Sequence, residues 1–355
     1  MPQQATHDVI VVGAGIGGLA TATALSGAGR DTLVLEARGR VGGRVLSIPA
    51  EGGAMDLGAS WFWDNEPRIA QLAEDLGVDS FAHRLAGDTM FQTAEGVQRY
   101  PGNLAEGPAR RFVKGTAGLA HGMATSLPDQ AVRLNTPVTA IRRAAAGQGL
   151  EVYTTDAVLR AGHVVLAVPP ALAVARVDFD GGLPTDLAEA ARFTPVWMGA
   201  VAKVLARYEH PFWREAGLAG AGVSRLGPLQ EVHDISGPDG SPAVLSGFAR
   251  AQPAGRPRFE DRVRAQLAAM YGPQAGHPAE LLVQDWGQEE WTSPGDVLRL
   301  TTYQLFGHEL YQQPALDGRL HWASTETAPD FAGHIEGALA AAERATHTIM
   351  SGLSG

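Results

Sequence analysis

Three glycines near the N-terminus have the spacing that a diphosphate-binding turn requires. Gly13, Gly15 and Gly18 form the pattern G-x-G-x-x-G between a short β-branched run and a stretch of helical character. In such a turn the first glycine lets the chain bend sharply, the second leaves room for a pyrophosphate, and the third lets the helix pack closely on the strand. The N–H groups of the helix N-terminus then face the phosphates. This spacing favours a dinucleotide site over a glycine turn of some other α/β protein.

A carboxylate and a second glycine pair follow at positions that fit the same ligand. Glu36 stands at the end of the next expected strand, where it can accept hydrogen bonds from ribose hydroxyls. Gly42 and Gly43 allow the backbone to approach a ligand closely, and Arg44 offers a fork of donors to a phosphate. The alternative for these last three residues is a solvated basic loop.

A lysine interrupts an apolar stretch in the second half of the chain. Lys203 lies within residues 200–206, which otherwise have the composition of a buried strand. An ammonium group is costly to bury unless a carboxylate, a water or a ligand satisfies it. Lys203 is therefore a candidate catalytic residue. The alternative is an edge-strand lysine whose ammonium extends to solvent.

Three further stretches carry side chains suited to a ligand. Residues 324–338 run from an expected strand through a polar loop into a helix, whose N-terminal N–H groups suit an anionic ring edge or a phosphate. The aromatic residues 61–63 can line a flat ring, although core packing is favoured for Phe62. Glu289 and Glu290 are interpreted as a solvated turn rather than as an acid–base pair.

The composition excludes several classes of protein. The chain has 355 residues, 45% of them hydrophobic, and a net charge of 28 − 38 = −10, which suits a globular protein and argues against binding nucleic acid. Because there is no cysteine, disulfides, thiolate catalysis, a cysteine-ligated metal and a cysteinyl cofactor bond are excluded. We also expect no metal site. No apolar run reaches the ~18 residues that a membrane span needs. We expect a cytoplasmic protein without a membrane anchor.

The succession of strand-like and helix-like stretches predicts an α/β fold with two lobes. A helix is expected over residues 67–76, and residues 83–112 are expected to be irregular and polar. The predicted lobes are a Rossmann-like dinucleotide-binding lobe of residues 1–65, 113–175 and 286–355, and a smaller mixed-sheet α+β substrate lobe of residues 66–112 and 176–285.

The stretch from Asp8 to Arg44, followed by a Gly-Ala-Ser-Trp segment ending at Trp61, resembles the opening of the flavin-containing amine oxidases. Residues 194–213 around Lys203 resemble the same family, as does Thr-Glu-Thr at 325–327 with Gly-x-x-Glu-Gly-Ala shortly after it. The family belongs to a wider group of FAD oxidases that includes protoporphyrinogen oxidases, carotenoid desaturases and renalase. The resemblance implies FAD as the cofactor, bound by Gly13, Gly15, Ile16, Gly17, Gly18, Glu36, Ala37, Arg38, Gly42, Gly43, Arg44, Gly58, Ala59, Ser60, Trp61, Val138, Trp286, Ser324, Thr325, Glu326 and Ile335.

The same resemblance implies oxidation of an amine at its C–N bond. The α-carbon of the neutral amine would pass a hydride to flavin N5, the imine would hydrolyse to a carbonyl compound, and O2 would reoxidise the flavin and yield hydrogen peroxide. The family lysine that matches Lys203 holds a water against the reactive flavin nitrogen. The alternatives are a flavin oxidase, desaturase or dehydrogenase of the wider group that acts on a non-amine substrate, and an FAD-binding protein without catalysis.

Two departures from the family pattern concern the flavin and the substrate. Many animal members bond the flavin through a cysteine, whereas residues 291–296 occupy that loop here, so FAD is expected to be non-covalent. Two aromatic rings frame the amine site of the family, and His334 stands where one of them falls. This histidine can hydrogen-bond a substrate, act as a base, or pack beside the flavin without proton transfer. Phe331, Trp61 and Trp197 are candidates for the missing aromatic surface. The substrate lobe is short, as in a short member of bacterial type.

Overall fold

The computed structural model describes residues 6–144, 149–251, 257–294 and 303–352. Its strands are β1 (Thr6–Val12), β2 (Thr32–Leu35), β3 (Ser47–Ala50), β4 (Gly53–Asp56), β5 (Ser80–Ala82), β6 (Asp88–Thr93), β7 (Gly96–Tyr100), β8 (Arg110–Phe112), β9 (Val132–Arg133), β10 (Val138–Arg143), β11 (Leu150–Thr154), β12 (Val158–Leu166), β13 (Val201–Tyr208), β14 (Leu218–Ser224), β15 (Glu231–Asp234), β16 (Ala243–Arg250), β17 (Glu280–Asp285) and β18 (Leu320–Trp322). Its α-helices are α1 (Ile16–Gly27), α2 (Pro67–Asp75), α3 (Ala117–Ser126), α4 (Pro170–Arg176), α5 (Thr185–Phe193), α6 (Phe212–Glu215), α7 (Phe259–Tyr271) and α8 (Ile335–Gly352). None of these helices is long and apolar enough to cross a bilayer.

The first large sheet has the strand order β10-β11-β12-β1-β2-β9, with β18 also paired to β12. Strand β1 is central and parallel to both β2 and β12, so that Val12 lies opposite Leu35 and Leu166. Its apolar residues are fully buried because helices cover both faces, as expected of a parallel sheet. On one face lie α1, α3 and α8; on the other, α4 and α5. The predicted α/β class is confirmed.

The second large sheet has the order β17-β13-β16-β15-β14-β6-β7 and is antiparallel except where β14 meets β6. Helix α7 packs on it through Val263, Leu267 and Met270. Strand β13 is an interior strand, and its Lys203 lies opposite Phe248 on one side and Gln284 on the other. Because side chains alternate along a strand, Lys203 shares a face of β13 with Leu205, which packs with Met55 and Leu57.

The prediction that residues 83–112 are irregular is wrong for three stretches. These form β6 and β7, which make an antiparallel hairpin, and β8, which pairs with β5, whereas residues 83–87 and 101–109 lie outside strands and helices. The sequence of β7 does not show the alternation of apolar and polar residues typical of a strand, because β7 lies at the edge of its sheet and its side chains are mostly exposed. The limits of the two lobes stay a prediction. Helices α2 and α5 fall within the segments predicted for the substrate lobe, but in this structure they pack on the core of the first sheet.

Helix α8 holds the N-terminus of α2 through a buried carboxylate. Glu336, which is fully buried, accepts hydrogen bonds from the backbone N–H groups of Arg68 and Ile69 at 3.2 and 3.0 Å, and from the Arg68 guanidinium at 3.1 Å. A carboxylate at a helix N-terminus also interacts favourably with the helix dipole. The Gly-x-x-Glu-Gly-Ala segment therefore joins two helices on the same face of the sheet.

Replacement of Glu336 by alanine is expected to lower the free energy of unfolding by about 2–4 kcal/mol, because charged hydrogen bonds are lost and buried N–H groups are left unpaired. Denaturant unfolding measures this loss. Glu343→Ala is the matched control. Glu343 also contacts Arg68, at 2.7 Å, but its side chain is 62% exposed, so we expect a change within about 0.5 kcal/mol. Equal losses in the two variants would contradict the capping role of Glu336.

Candidate active site

A cavity of about 830 Å³ is lined by residues of both large sheets. The glycine turn after β1, the segment after β4, strands β15 and β16 and the start of α8 all contribute to its walls. Most of the predicted ligand-binding residues line it, namely Gly13, Gly15, Ile16, Gly17, Glu36, Ala37, Arg38, Gly42, Gly43, Arg44, Gly58, Ala59, Ser60, Trp61, Val138, Trp197, Ser324, Thr325, His334 and Ile335. Residues that lie far apart in the chain thus share one cavity.

The glycine turn brings the two predicted phosphate-binding motifs together. Gly13 has a φ of +103°, and the N–H of Gly42 donates to the carbonyl of Ala14 at 2.8 Å. A β-carbon at Gly18 would collide with the carbonyl oxygen of Gly13, so this glycine serves helix packing and does not line the cavity. A β-carbon at Gly15 would meet nothing within 4 Å and would point into open space at the cavity wall. The turn therefore has the clearance that a pyrophosphate requires.

Backbone groups hold the carboxylate of Glu36 in place. It accepts hydrogen bonds from the N–H groups of Ala14 at 2.7 Å and Arg38 at 2.8 Å. A carboxylate can accept about four hydrogen bonds, so capacity remains for ribose hydroxyls. The Arg38 side chain donates to Glu289 at 3.0 Å and to Thr292 at 2.8 Å. The turn at Glu289 thus anchors an arginine of the cavity wall. Gly295 and Asp296, which follow in the same loop, lie outside the described residues.

The polar loop before α8 fixes two residues of the cavity wall. The guanidinium of Arg44 forms a bidentate ion pair with the carboxylate of Glu326. One of its two contacts joins Nη2 of Arg44 to Oε2 of Glu326 at 3.2 Å. Glu326 is buried behind Arg44 and does not line the cavity, so its contact with the cofactor stays a prediction. The hydroxyl of Thr325 donates to the carbonyl of His334 at 2.7 Å and accepts from the N–H of Gly333 at 2.8 Å. Thr325 thereby sets the backbone position of His334.

Lys203 lies immediately behind the cavity wall, with only 1% of its surface exposed. Its ammonium donates to the carbonyl of Gly58 at 2.8 Å and to the hydroxyl of Ser60. It also lies 5.7 Å from the ring centroid of Trp61 and 5.6 Å from that of Phe248, within the range of cation–π attraction. These four neighbours line the cavity, whereas Lys203 itself does not. The edge-strand alternative for Lys203 is wrong.

Burial lowers the pKa of Lys203 to about 7, although the nearby carboxylate of Asp56 opposes this effect. Arg111, which is also buried, adds to the lowering. Among the described residues, no carboxylate forms an ion pair with Lys203. An amine that changes its charge near neutral pH, beside a cavity, is typical of a functional site.

The lowered pKa of Lys203 gives folding stability a pH dependence of defined sign. Its ordinary pKa is 10.5, so between about pH 7 and 10.5 the unfolded chain binds more protons here, and the free energy of unfolding rises with pH. The cost of burying the ammonium is fully present below pH 7.

Relative to Lys203→Met, the free energy of unfolding of the natural protein should therefore increase by up to about 1.4 kcal/mol per pH unit above pH 7. Lys114→Met, at an exposed lysine, should follow the natural protein. Denaturant unfolding at several pH values tests this, and a difference that does not change with pH would contradict it.

His334 is fixed by a carboxylate that sequence analysis missed. Its Nδ1 lies 2.6 Å from Oε1 of Glu66, a residue with 2% of its surface exposed. The other carboxylate oxygen accepts from the N–H of Trp63 at 2.8 Å, and the Trp63 ring packs on His334 with centroids 5.2 Å apart. Trp63 and Glu66 both line the cavity. Phe331 does not, and its contact with substrate stays a prediction.

A second group of histidines lines the cavity beyond Trp61. Glu106 lies 3.1 Å from His83 and 2.6 Å from His233, and the Trp61 ring packs on His233 with centroids 5.2 Å apart. Burial alone would raise the pKa of Glu106, but hydrogen bonds from His233 and His83 lower it to about 2. Burial lowers the pKa of His233, but the hydrogen bond to Glu106 raises it. The result is a pKa above the ordinary value of histidine. Sequence analysis missed this group because its members come from three separate segments.

Trp286 does not line the cavity, and its place beside the flavin stays a prediction. It is fully buried, and its indole N–H donates to the carbonyl of Leu57 at 2.9 Å. Leu57 precedes Gly58, whose carbonyl accepts from Lys203. Trp286 therefore supports the segment that forms the wall.

Comparisons with known proteins agree with this architecture. The sequence matches the family described as flavin containing amine oxidoreductase over residues 16–111 and 85–350. It is 26% identical to the putrescine oxidase of Kocuria rosea, across 94% of this chain and 93% of that protein. It is also 26% identical to amine oxidase B of Sus scrofa, across 97% and 86%. The solved structure of cyclohexylamine oxidase from Brevibacterium oxydans has the same fold, with a TM-score of 0.85, 24% identity and coverage of 98% of this chain and 100% of that one.

The fold and the glycine-rich cavity are those of a dinucleotide-binding protein. The chain belongs to the flavin-containing amine oxidoreductase family. It is an FAD-dependent oxidoreductase, and the clearance at Gly15 together with the free acceptor capacity of Glu36 fits the pyrophosphate and ribose of that cofactor. Without cysteine in the chain, a cysteinyl bond to the flavin is excluded.

Proposed function

We propose that this protein oxidises an amine at its C–N bond, with O2 as the electron acceptor. Bound FAD would supply the hydride acceptor. The observation that carries the proposal is Lys203, an amine with a pKa of about 7 that Gly58 and Ser60 hold at the cavity wall. Such a group can present a positive charge beside a reacting centre without an ion-pair partner to neutralise it.

Different parts of the cavity would hold the two ends of the cofactor. We place its diphosphate at Gly15 and Arg44 and its ribose at Glu36, with Val138 near the adenine. Its reactive ring would lie near Trp61, whose ring centroid is 5.7 Å from the ammonium of Lys203. The protein's part is then to orient the cofactor and the substrate and to set the charge near the reacting atoms.

An amine is the substrate class that the comparisons support, since two of the proteins described above are named as oxidases of putrescine and of cyclohexylamine. The rings of Trp61, Trp197 and Phe248 line the cavity and offer apolar surface to the carbon part of such a molecule. We further propose a cytoplasmic location, which cell fractionation would test.

The test is to mix the purified yellow protein in air with putrescine, cyclohexylamine, benzylamine and a set of longer amines. We expect loss of the oxidised flavin absorbance and release of hydrogen peroxide with at least one of them. If the flavin stays bleached in air, O2 is not its electron acceptor and another acceptor must reoxidise it. If no amine bleaches the flavin, the proposal falls, leaving a flavin enzyme for a non-amine substrate or an FAD-binding protein without catalysis.

A further inference from the structure

The cavity contains a carboxylate–imidazole pair whose geometry is that of an acid–base group. Nδ1 of His334 lies 2.6 Å from the buried carboxylate of Glu66. Because a carboxylate accepts hydrogen bonds, this contact assigns the proton of a neutral His334 to Nδ1 and leaves the lone pair on Nε2. The imidazole is therefore a proton acceptor at one defined atom.

The imidazole ring that carries this atom reaches the cavity. The His334 side chain is 42% exposed and lines the cavity, while the Glu66 side chain is 3% exposed. Among the described residues, no group bonds to Nε2. The pair thus has a buried end that holds it and an open end that can meet a small molecule.

Three contacts restrict the position of His334. Glu66 holds one edge, Trp63 packs on its face at an interplanar angle of 33°, and Thr325 holds its backbone carbonyl at 2.7 Å. Glu66 is held in turn by the N–H of Trp63 at 2.8 Å. A ring that only filled space would not require a buried carboxylate, which is costly to desolvate unless it is hydrogen-bonded.

We propose that His334 is the base that removes the proton from the ammonium form of the substrate, and that Glu66 is its positioning residue. This inference rests on the proposed function. An N–H bond of the substrate ammonium breaks and an Nε2–H bond forms. The lone pair stays on the substrate nitrogen, and the positive charge passes to the imidazole. The imidazolium then lies against the Glu66 carboxylate, which stabilises it as in other carboxylate–histidine pairs. The substrate is thereby converted to the neutral amine, the form that can lose hydride from its α-carbon.

The first test uses rapid anaerobic mixing with the amine that reduces the flavin fastest. His334→Phe keeps a ring at the wall but has no base, so flavin reduction should slow about 100-fold or more. His347→Phe, at an exposed histidine of α8, is the matched control and should reduce as fast as the natural protein. A His334→Phe rate within about threefold of the natural rate would show that the ring only packs, and would overturn the proposal.

The second test observes the proton directly, without turnover. The probe is an analogue of that amine in which methyl groups replace the hydrogens on the carbon bearing nitrogen, such as 2-phenylpropan-2-amine for benzylamine. With 15N-histidine labelling, the signal absent from His334→Phe identifies His334. We expect it to change from neutral imidazole, protonated on Nδ1, to imidazolium when the probe binds. In Glu66→Gln the change should be lost or greatly reduced, because the carboxylate that stabilises the imidazolium is gone.

The two proposals fail in different ways. If no amine bleaches the flavin, the proposed function itself fails. If amines bleach it while the His334 signal stays neutral in the complex, amine oxidation stands and His334 is not its base. If Glu66→Gln retains both the full rate and the imidazolium signal, the positioning role of Glu66 is overturned.

Discussion

Replacement of Lys203 by methionine is expected to slow reoxidation of the reduced flavin by O2 about 100- to 1000-fold, the typical effect of removing one preorganised polar group from a reacting centre. Methionine fills similar space in β13 but carries no charge. The ammonium it removes is held by Gly58 and Ser60 and lies within 6 Å of the rings of Trp61 and Phe248. Stopped-flow mixing of the reduced protein with O2 gives the rate.

Anaerobic reduction by the amine should change much less in this variant, within about tenfold, because His334 and Glu66 are intact. The chain offers a matched control, since Lys114 and Lys203 are its two lysines and Lys114 is exposed. Lys114→Met should reoxidise at the natural rate. An unchanged reoxidation rate in Lys203→Met would remove Lys203 from the oxygen reaction.

The second large effect is expected at Gly15. Alanine at this position should weaken FAD binding roughly 10- to 100-fold, because a methyl group forced into a packed contact costs about 1–3 kcal/mol. The protein alone accommodates that methyl group, since nothing lies within 4 Å of it and the backbone there, with φ −74° and ψ 180°, suits alanine. Gly15→Ala should therefore fold normally and lose affinity only.

Two other glycines of α1 complete this experiment. Gly27 also has nothing within 4 Å, so Gly27→Ala should keep FAD affinity and gain at most about 1 kcal/mol of stability from its higher helix propensity. Gly18→Ala should destabilise the protein even without FAD, because its β-carbon would collide with the carbonyl of Gly13. Titration of the apoprotein with FAD, together with thermal unfolding, separates the three. Unchanged FAD affinity in Gly15→Ala would mean that the diphosphate lies elsewhere.

The parts of the site that the sequence predicted best are those encoded by neighbouring residues. The turn at Gly13 and Gly15 needs only local backbone freedom, and Lys203 is conspicuous because the six residues around it are apolar. Its hydrogen-bond partners are 143 and 145 positions away, so no spacing rule connects them. The same distance problem hid the contact of His334 with Glu66, 268 positions away.

Other parts of the site depend on what lies between a residue and the cavity. Trp286 and Glu326 accompany the cofactor in related sequences, but here neither lines the cavity: Trp286 bonds to Leu57, and Glu326 bonds to Arg44. Burial of a whole residue does not reveal which atom faces a cavity. Strands β6 and β7 were missed because a short edge hairpin is specified by its partner strand rather than by its own composition.

The unequal exposure of the two lysines has a practical consequence for chemical labelling. A reagent that acylates lysine can reach Lys114 in the folded protein, whereas Lys203 lies on an interior strand and becomes reactive only when that sheet opens. The rate at which Lys203 is acylated thus reports how often the second sheet opens. A support that couples to amines would in turn hold the folded protein through Lys114 or the α-amino group, and not through Lys203.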